Sequence, residues 1–79
     1  MNKDECLKLI CDVVRQDTGN LSLELTYEMA ADEIPGWDSL AHTRIILNIG
    51  AKLGIDLDII ETYELNSIGD LVQLALRSK

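Results

Sequence analysis

The sequence predicts an all-α fold, a small bundle of three main helices and one short helix with a long loop between helices 1 and 2. Apolar residues recur at helical spacing in separate segments. Good helix-capping residues precede these segments, namely Asn2, Asp38 and Ser67. One further segment alternates like a strand, but a lone strand has no partner for its backbone hydrogen bonds. We expect one domain over residues 1–79.

The first helix is predicted from about Lys3 to Asp17. Asn2, followed three residues later by Glu5, resembles a capping box. Gly19 suits the left-handed residue that ends many helices. The expected inner face consists of apolar residues at helical spacing: Cys6, Leu9, Ile10, Val13 and Val14.

The long loop covers residues 20–37 and carries several apolar side chains. We expect the loop to place onto the core Leu21, Leu23, Leu25 and Met29. Residues 28–32 are predicted to form a helical turn, and Ile34-Pro35-Gly36 ends the loop with a fixed turn. Loops of this length are uncommon in compact domains and are often functional.

The second helix is predicted to begin after Asp38 and to end at Gly54. Its apolar positions exceed one helical stripe: Leu40, Ile45, Ile46, Leu47, Ile49 and Leu53. So wide an apolar face predicts a central helix that is packed on two sides.

Two further helices are predicted in the last third of the chain. Asp58 caps a short helix at about Ile59 to Tyr63, and Ser67 with Asp70 forms a capping box for the last helix. The inner face of the last helix is expected to consist of Ile68, Leu71, Val72, Leu74 and Ala75.

Composition excludes several classes of function. The formal net charge of −7 argues against nucleic-acid binding, which needs clustered Lys and Arg. No uncharged run approaches about 18 residues, so we expect neither a membrane span nor a signal peptide.

Cys6 and Cys11 lie five residues apart on one helix, which rules out a disulfide between them. We expect a cytoplasmic, monomeric protein with reduced thiols and no metal site.

Ser39 is the main candidate for a functional residue. It falls at the first helical position, directly after the long loop. The free amides and the dipole of a helix N-terminus stabilise a phosphate group without any basic side chain. The position therefore suits a serine that carries a phosphodiester.

The segment Gly36-Trp37-Asp38-Ser39-Leu40 resembles the attachment motif of acyl carrier proteins, Gly-x-Asp-Ser-Leu. The segments "LGIDL" (Leu53 to Leu57) and "LNSIGDLVQL" (Leu65 to Leu74) are similar to the second half of that family. The resemblance implies a non-catalytic carrier. A phosphopantetheinyl transferase would transfer 4′-phosphopantetheine from coenzyme A to Ser39, using magnesium, and the arm would hold acyl or aminoacyl groups as thioesters for partner enzymes.

The resemblance also assigns roles to neighbouring residues. Asp38 and Leu40 occupy the places of residues that help the transferase recognise the serine in the family. The family commonly hides its cargo among its helices, and here such a cavity would be lined by aliphatic residues such as Ile46, Leu47 and Ile68.

One departure from the family concerns the second helix. In fatty-acid carriers this helix bears acidic residues that dock onto basic partners, whereas residues 39–53 contain no Asp or Glu. Gly50 and Ala51 stand where the family often has glutamates. We therefore expect a carrier for a dedicated pathway (polyketide, nonribosomal or envelope-related), with fatty-acid synthesis as the alternative. The expected docking surface consists of Ala41, Arg44 and Ile45, with Ile59 or Ile60.

Two other functions are possible alternatives to a carrier, a hydrolytic enzyme and a helical interaction module. Asp38, Ser39 and His42 resemble parts of a hydrolytic site, but the sequence offers no oxyanion hole. We expect His42 to face solvent near the partner surface and Trp37 to pack on the loop.

A helical interaction module without a cofactor would need the same core but not Ser39. Asp56, Asp58 and Glu61 lack the spacing of a calcium loop, and a helix cap is the favoured role for Asp58.

Overall fold

The protein is described by a computed structural model that covers residues 1–78. Its helices, in chain order, are α1 (Lys3–Thr18), α2 (Ser39–Leu53), α3 (Ile59–Thr62) and α4 (Ile68–Arg77), and a 3-10 turn spans Ala31–Glu33. The predicted all-α fold, with three main helices, a short one and a long loop, is confirmed. None of the helices in residues 1–78 is long and apolar enough to cross a membrane.

The ends of α1 follow the predicted capping pattern. The side chain of Asn2 accepts a hydrogen bond from the Glu5 amide at 2.8 Å, and the Glu5 carboxylate accepts one from the Asn2 amide at 3.1 Å. At the other end, Gly19 adopts a φ of 76° and donates its N–H to the Arg15 carbonyl. The positive φ explains why glycine occupies this position.

The central helix of the bundle is α1, not α2 as the sequence predicted. α1 packs extensively against both α2 and α4. On α2, Leu40 and Leu47 are exposed by 75% and 59%. The wide apolar pattern of α2 therefore includes two leucines that face solvent.

The core is built from the inner faces of α1, α2 and α4. Its largest fully buried side chains are Ile10, Val14, Ile45, Ile46, Ile49, Ile68 and Val72, together with Cys6. Cys6 and Cys11 are both buried and neither forms a disulfide, and the Cys11 Sγ donates to the Leu23 carbonyl at 3.5 Å. The cysteines thus behave as small apolar residues of the core.

The long loop meets the core through only some of its predicted contacts. Leu25 is buried, and Leu23 and Met29 are half-buried against the core. Leu21 is 73% exposed, so its predicted burial is wrong. The Leu23 amide donates to the Asn20 carbonyl, and this turn directs Leu21 away from the core.

The loop is fastened to the start of α4 by two backbone hydrogen bonds. The Ile68 amide donates to the Met29 carbonyl at 2.7 Å, and the Gly69 amide donates to the Tyr27 carbonyl at 2.8 Å. These bonds satisfy two amides of the first turn of α4, which have no partner within the helix. The loop therefore has a defined position beside the helix.

Candidate attachment site at the start of α2

Ser39 is exposed at the first position of α2, as predicted. The Asp38 side chain accepts a hydrogen bond from the Ala41 amide at 2.8 Å, and the Asp38 carbonyl accepts one from the His42 amide. The amides of Ser39 and Leu40 precede the first intrahelical bond, so the positive end of the helix lies at the serine. An exposed hydroxyl beside free amides fits a phosphodiester.

Ser39 lines an open groove of about 280 Å³. The other lining residues come from the loop, from α2 and from the α3 region: Ala31, Trp37, Asp38, His42, Thr62, Tyr63 and Leu65. The groove gives a visiting protein direct access to the serine, which is what attachment of an arm requires.

His42 is buried, with 8% exposure, so its predicted solvent-facing position is wrong. The Trp37 indole N–H donates to His42 Nδ1 at 3.0 Å, and His42 Nε2 lies 2.8 Å from the Thr62 hydroxyl. The Thr62 hydroxyl in turn donates to the Ile59 carbonyl at 2.6 Å. These contacts replace the water that the imidazole would otherwise need.

The hydrogen-bond directions fix the protonation state of His42. An indole N–H can only donate, so Nδ1 of His42 must accept and the proton of the neutral ring sits on Nε2. Burial lowers the pKa of His42, in agreement with a neutral ring. We call Trp37, His42 and Thr62 the polar chain, because they join the loop, α2 and α3 in one run of hydrogen bonds.

The hydrogen bonds of the polar chain also argue against a hydrolytic site formed by Asp38, Ser39 and His42. Both ring nitrogens of His42 are occupied, one by Trp37 and the other by Thr62, so neither is free to take a proton from Ser39. Trp37 is 8% exposed, which confirms its predicted packing role. No sequence signal pointed to Thr62, because its partner lies 20 residues earlier in the chain.

The predicted docking surface needs correction. Ala41 and Ile45 are exposed by only 1% and 0%, so neither contributes to a surface. Both lie on the same side of α2 as Ile49, at intervals of four residues, and this side belongs to the core. Arg44 is exposed and forms a two-bond ion pair with Asp17, with distances of 2.9 and 3.2 Å.

The structure offers other exposed residues on α2 and α3. Ile60 is 75% exposed and Ile59 is half-buried. We define the exposed face of α2 and α3 as the large apolar side chains that remain in solvent there: Leu40, Leu47, Ile60 and Tyr63. Leu40 and Leu47 are seven residues apart and so lie on one side of α2, with Arg44 between them.

Gly50 is one of the positions of α2 where acidic carriers often have a glutamate, and its surroundings explain why it has no side chain. It is buried, and a Cβ atom at this position would lie 2.8 Å from the Ile55 carbonyl oxygen. The Ile55 amide also donates to the Gly50 carbonyl at 3.0 Å. The loop after α2 therefore approaches too closely for any side chain at position 50.

The cavity next to the site is small. It has a volume of about 30 Å³, and its lining includes Ile68, as predicted, together with Trp37, His42 and Thr62. Ile46 is packed in the core and Leu47 faces solvent, and neither lines this cavity, so those two predictions are wrong.

Within residues 1–78, no group of His, Cys, Asp and Glu is placed to hold a metal ion. Asp58 acts as a helix cap, and its side chain accepts hydrogen bonds from the amides of Ile60 and Glu61.

The fold is similar to the solution structure of a holo acyl carrier protein from Geobacter metallireducens, with a TM-score of 0.81 and 30% sequence identity. The match covers 92% of this chain and 84% of that one. No protein-family model and no curated protein matches the chain. The chain belongs to the acyl carrier protein family, whose members are non-catalytic carriers.

Proposed function

We propose that Ser39 carries 4′-phosphopantetheine through a phosphodiester bond, and that residues 1–79 act as one monomeric carrier domain in the cytoplasm. The main support for this proposal is the exposed serine at the capped N-terminus of α2, in a chain that belongs to this family. The similar Geobacter protein is described in its holo form. When bound, the arm supplies a terminal thiol that holds an acyl or aminoacyl group as a thioester.

The residues around Ser39 have separate roles in this proposal. Asp38 fixes the first turn of α2 through its bond to the Ala41 amide, and so holds the serine in place. Leu40, 75% exposed directly beside Ser39, offers an apolar contact to the phosphopantetheinyl transferase. Because this contact needs no change of fold, the transferase can reach the serine in the folded protein.

The carrier serves a dedicated biosynthetic pathway in this proposal: polyketide, nonribosomal or envelope-related. Support comes from α2, which has no acidic residue and presents Leu40, Leu47 and Arg44 to solvent. A partner for this surface would use apolar contacts where partners of acidic helices use Lys and Arg. Acyl- or aminoacyl-loading enzymes of that pathway would dock there.

Intact mass tests the attachment. The protein is incubated with coenzyme A, magnesium and a broad-specificity phosphopantetheinyl transferase, and the wild type should gain the mass of one arm. Ser39→Ala should gain nothing. A wild type that also gains nothing would favour the interaction module without a cofactor. Efficient loading of the holo protein by a fatty-acid malonyl transferase would favour the fatty-acid pathway.

A further inference from the structure

We propose that Trp37 and His42 form a hydrogen-bonded staple that holds Ser39 in the position the phosphopantetheinyl transferase needs, and that Thr62 of α3 acts through His42 as a positioning residue for the same reaction. The inference rests on the proposed attachment of the arm to Ser39. It gives the polar chain a role in arm transfer, which it performs through the backbone that carries the serine.

Trp37 and His42 occupy the two positions that form a staple at the start of many helices. Trp37 directly precedes the N-cap Asp38, and His42 is the fourth residue of α2. Side chains at these positions often make an apolar contact that fixes the angle at which the chain enters the helix. Here the indole N–H donates to the imidazole Nδ1 at 3.0 Å. A hydrogen bond depends on direction as well as distance, so it restricts the entry angle more than an apolar contact does.

The staple brackets the exposed part of the attachment site. Residues 38–40 are exposed, whereas Trp37 before them and His42 after them are each buried. The Trp37 amide also donates to the carbonyl of Ile34, the residue that ends the 3-10 turn, at 3.1 Å. The backbone that carries Ser39 is therefore held from both sides by buried residues.

Thr62 determines which tautomer of His42 is present. The Thr62 hydroxyl donates to the Ile59 carbonyl at 2.6 Å, so towards His42 Nε2, at 2.8 Å, its oxygen can only accept. This keeps the ring proton on Nε2 and leaves Nδ1 free to accept from Trp37. A side chain 20 residues after His42 therefore supports the staple.

An aromatic neighbour also holds the His42 ring. The ring of Tyr63 lies against it, with centroids 4.4 Å apart and planes at 30°. Tyr63 lines the groove at Ser39 and does not line the small cavity, so it covers the side of the imidazole that faces the groove. Stacking on one side and hydrogen bonds to both ring nitrogens restrict His42 to the orientation that the staple needs.

Arm transfer makes strict demands on the place of the Ser39 hydroxyl. Its Oγ forms a bond to the phosphorus that bears the pantetheine of coenzyme A, and the bond from that phosphorus to the bridging oxygen breaks. Adenosine 3′,5′-bisphosphate leaves, and the hydroxyl proton passes to a base of the transferase. Reacting atoms must lie about 3–3.5 Å apart and in line, and a displacement of about 1 Å can cost about 100-fold in rate. A serine on a fixed turn meets this demand.

Thr62→Val tests the role of the hydroxyl, because valine keeps the shape of threonine. Intact-mass time courses with coenzyme A, magnesium and a broad-specificity transferase, at several carrier concentrations, give kcat and KM. Thr62→Val should lower kcat about tenfold and change KM by less than about twofold, because it alters the position of the serine and not its recognition. Thr62→Ser keeps the hydroxyl and should restore kcat.

Trp37→Phe removes the other end of the same hydrogen-bonded run. It should lower kcat as Thr62→Val does, and the double variant should lose no more than either single variant, because each change breaks the same staple. Trp37→Phe also provides the test if Thr62→Val does not fold.

Nuclear magnetic resonance follows the staple directly, before any arm is attached. The chain has one Trp and one His, so the indole N–H and the imidazole nitrogens each give a single set of signals. In the wild type the ring proton should sit on Nε2 alone. In Thr62→Val part of the population should carry the proton on Nδ1, and the indole N–H signal should shift with it.

Gly50→Ala separates positioning of the serine from a general loss of stability. Its added Cβ would lie 2.8 Å from the Ile55 carbonyl oxygen, at the far end of α2. It should therefore destabilise the protein while the indole and imidazole signals keep their wild-type positions. Its kcat should stay within about twofold of the wild type, measured at a temperature where both are folded.

The outcomes separate the two proposals. If the wild type gains no mass, the attachment at Ser39 is wrong, and the inference with it. If the wild type is loaded but Thr62→Val keeps the wild-type kcat or the wild-type imidazole signals, the inference alone is wrong. A Thr62→Ser variant that stays slow, or a Gly50→Ala variant that is slowed equally, also overturns the inference alone.

Discussion

The indole N–H of Trp37 donates a hydrogen bond to Nδ1 of His42 across 3.0 Å, and this contact sets the protonation state of a buried histidine next to the candidate attachment serine. Nε2 of the same ring faces the Thr62 hydroxyl at 2.8 Å. The start of α2 is thereby joined to α3 through side chains. The stability of this region depends on a ring that must remain neutral.

Trp37→Phe should lower the free energy of unfolding by about 1–3 kcal/mol, because Nδ1 of His42 loses its donor while buried. Urea denaturation monitored by circular dichroism measures the change. Tyr63→Phe is the control, since Tyr63 is 55% exposed and the change removes only a hydroxyl. A cost for the control as large as that for Trp37→Phe would contradict the role given to the polar chain.

Stability should rise with pH through the titration of His42. Burial lowers the pKa of His42 in the folded state, so the unfolded chain, with an ordinary pKa of about 6.5, binds more protons below that pH. The contribution is complete above about pH 6.5 and is lost as pH falls from there through the lower folded pKa.

Urea denaturation between pH 5 and 7.5 measures this effect, with His42→Gln as the reference, since glutamine does not titrate. The difference between wild type and variant should favour the wild type increasingly as pH rises. If the difference in free energy of unfolding did not depend on pH, or favoured the wild type more at low pH, His42 would not be a neutral buried ring.

Leu40→Ala should slow transfer of the arm to Ser39 by roughly tenfold in kcat/KM, if the transferase covers the exposed side chain of Leu40. Leu47→Ala is the matched control, since it makes the same change two turns further along the same side of α2. Time courses of arm attachment by intact mass give both rates. Equal slowing by the two variants would remove the special role of Leu40.

Gly50→Ala should destabilise the protein by about 1–3 kcal/mol, although alanine favours helix over glycine by about 1 kcal/mol. The reason is the added Cβ, which would lie 2.8 Å from the Ile55 carbonyl oxygen. Asn48→Ala, an exposed change on the same helix, should leave stability the same or slightly higher. Thermal unfolding compares the two, and a stabilised Gly50→Ala variant would disprove the close approach.

Arg44→Ala should cost up to about 1 kcal/mol through loss of its ion pair with Asp17, and the cost should shrink in 1 M salt. The two-bond geometry and the low exposure of the Asp17 side chain, 8% against 57% for Arg44, place this pair at the upper end of the range for surface ion pairs. Lys52→Ala, at an exposed position near the other end of α2, is the control. A cost that does not depend on salt would point to lost packing of the arginine stem.

The sequence by itself determined the features that depend on neighbours within one turn of helix. Asn2 with Glu5, Asp38 and Ser67 each cap a helix through bonds that span three residues, and Gly19 takes the left-handed φ that its position implies. The same local logic placed Ser39 at an exposed helix start. Such bonds are short in sequence, so a pattern of residue types is enough to predict them.

Only the tertiary structure decided which apolar and polar side chains face inward. His42 is buried because Trp37 and Thr62 supply partners for both ring nitrogens, and the Thr62 contact spans 20 residues. Leu47 faces solvent although it belongs to the same apolar pattern as Ile46. Burial depends on where α1, α3 and α4 pack, and cavity size depends on gaps between them, so neither is encoded in the local pattern of one helix.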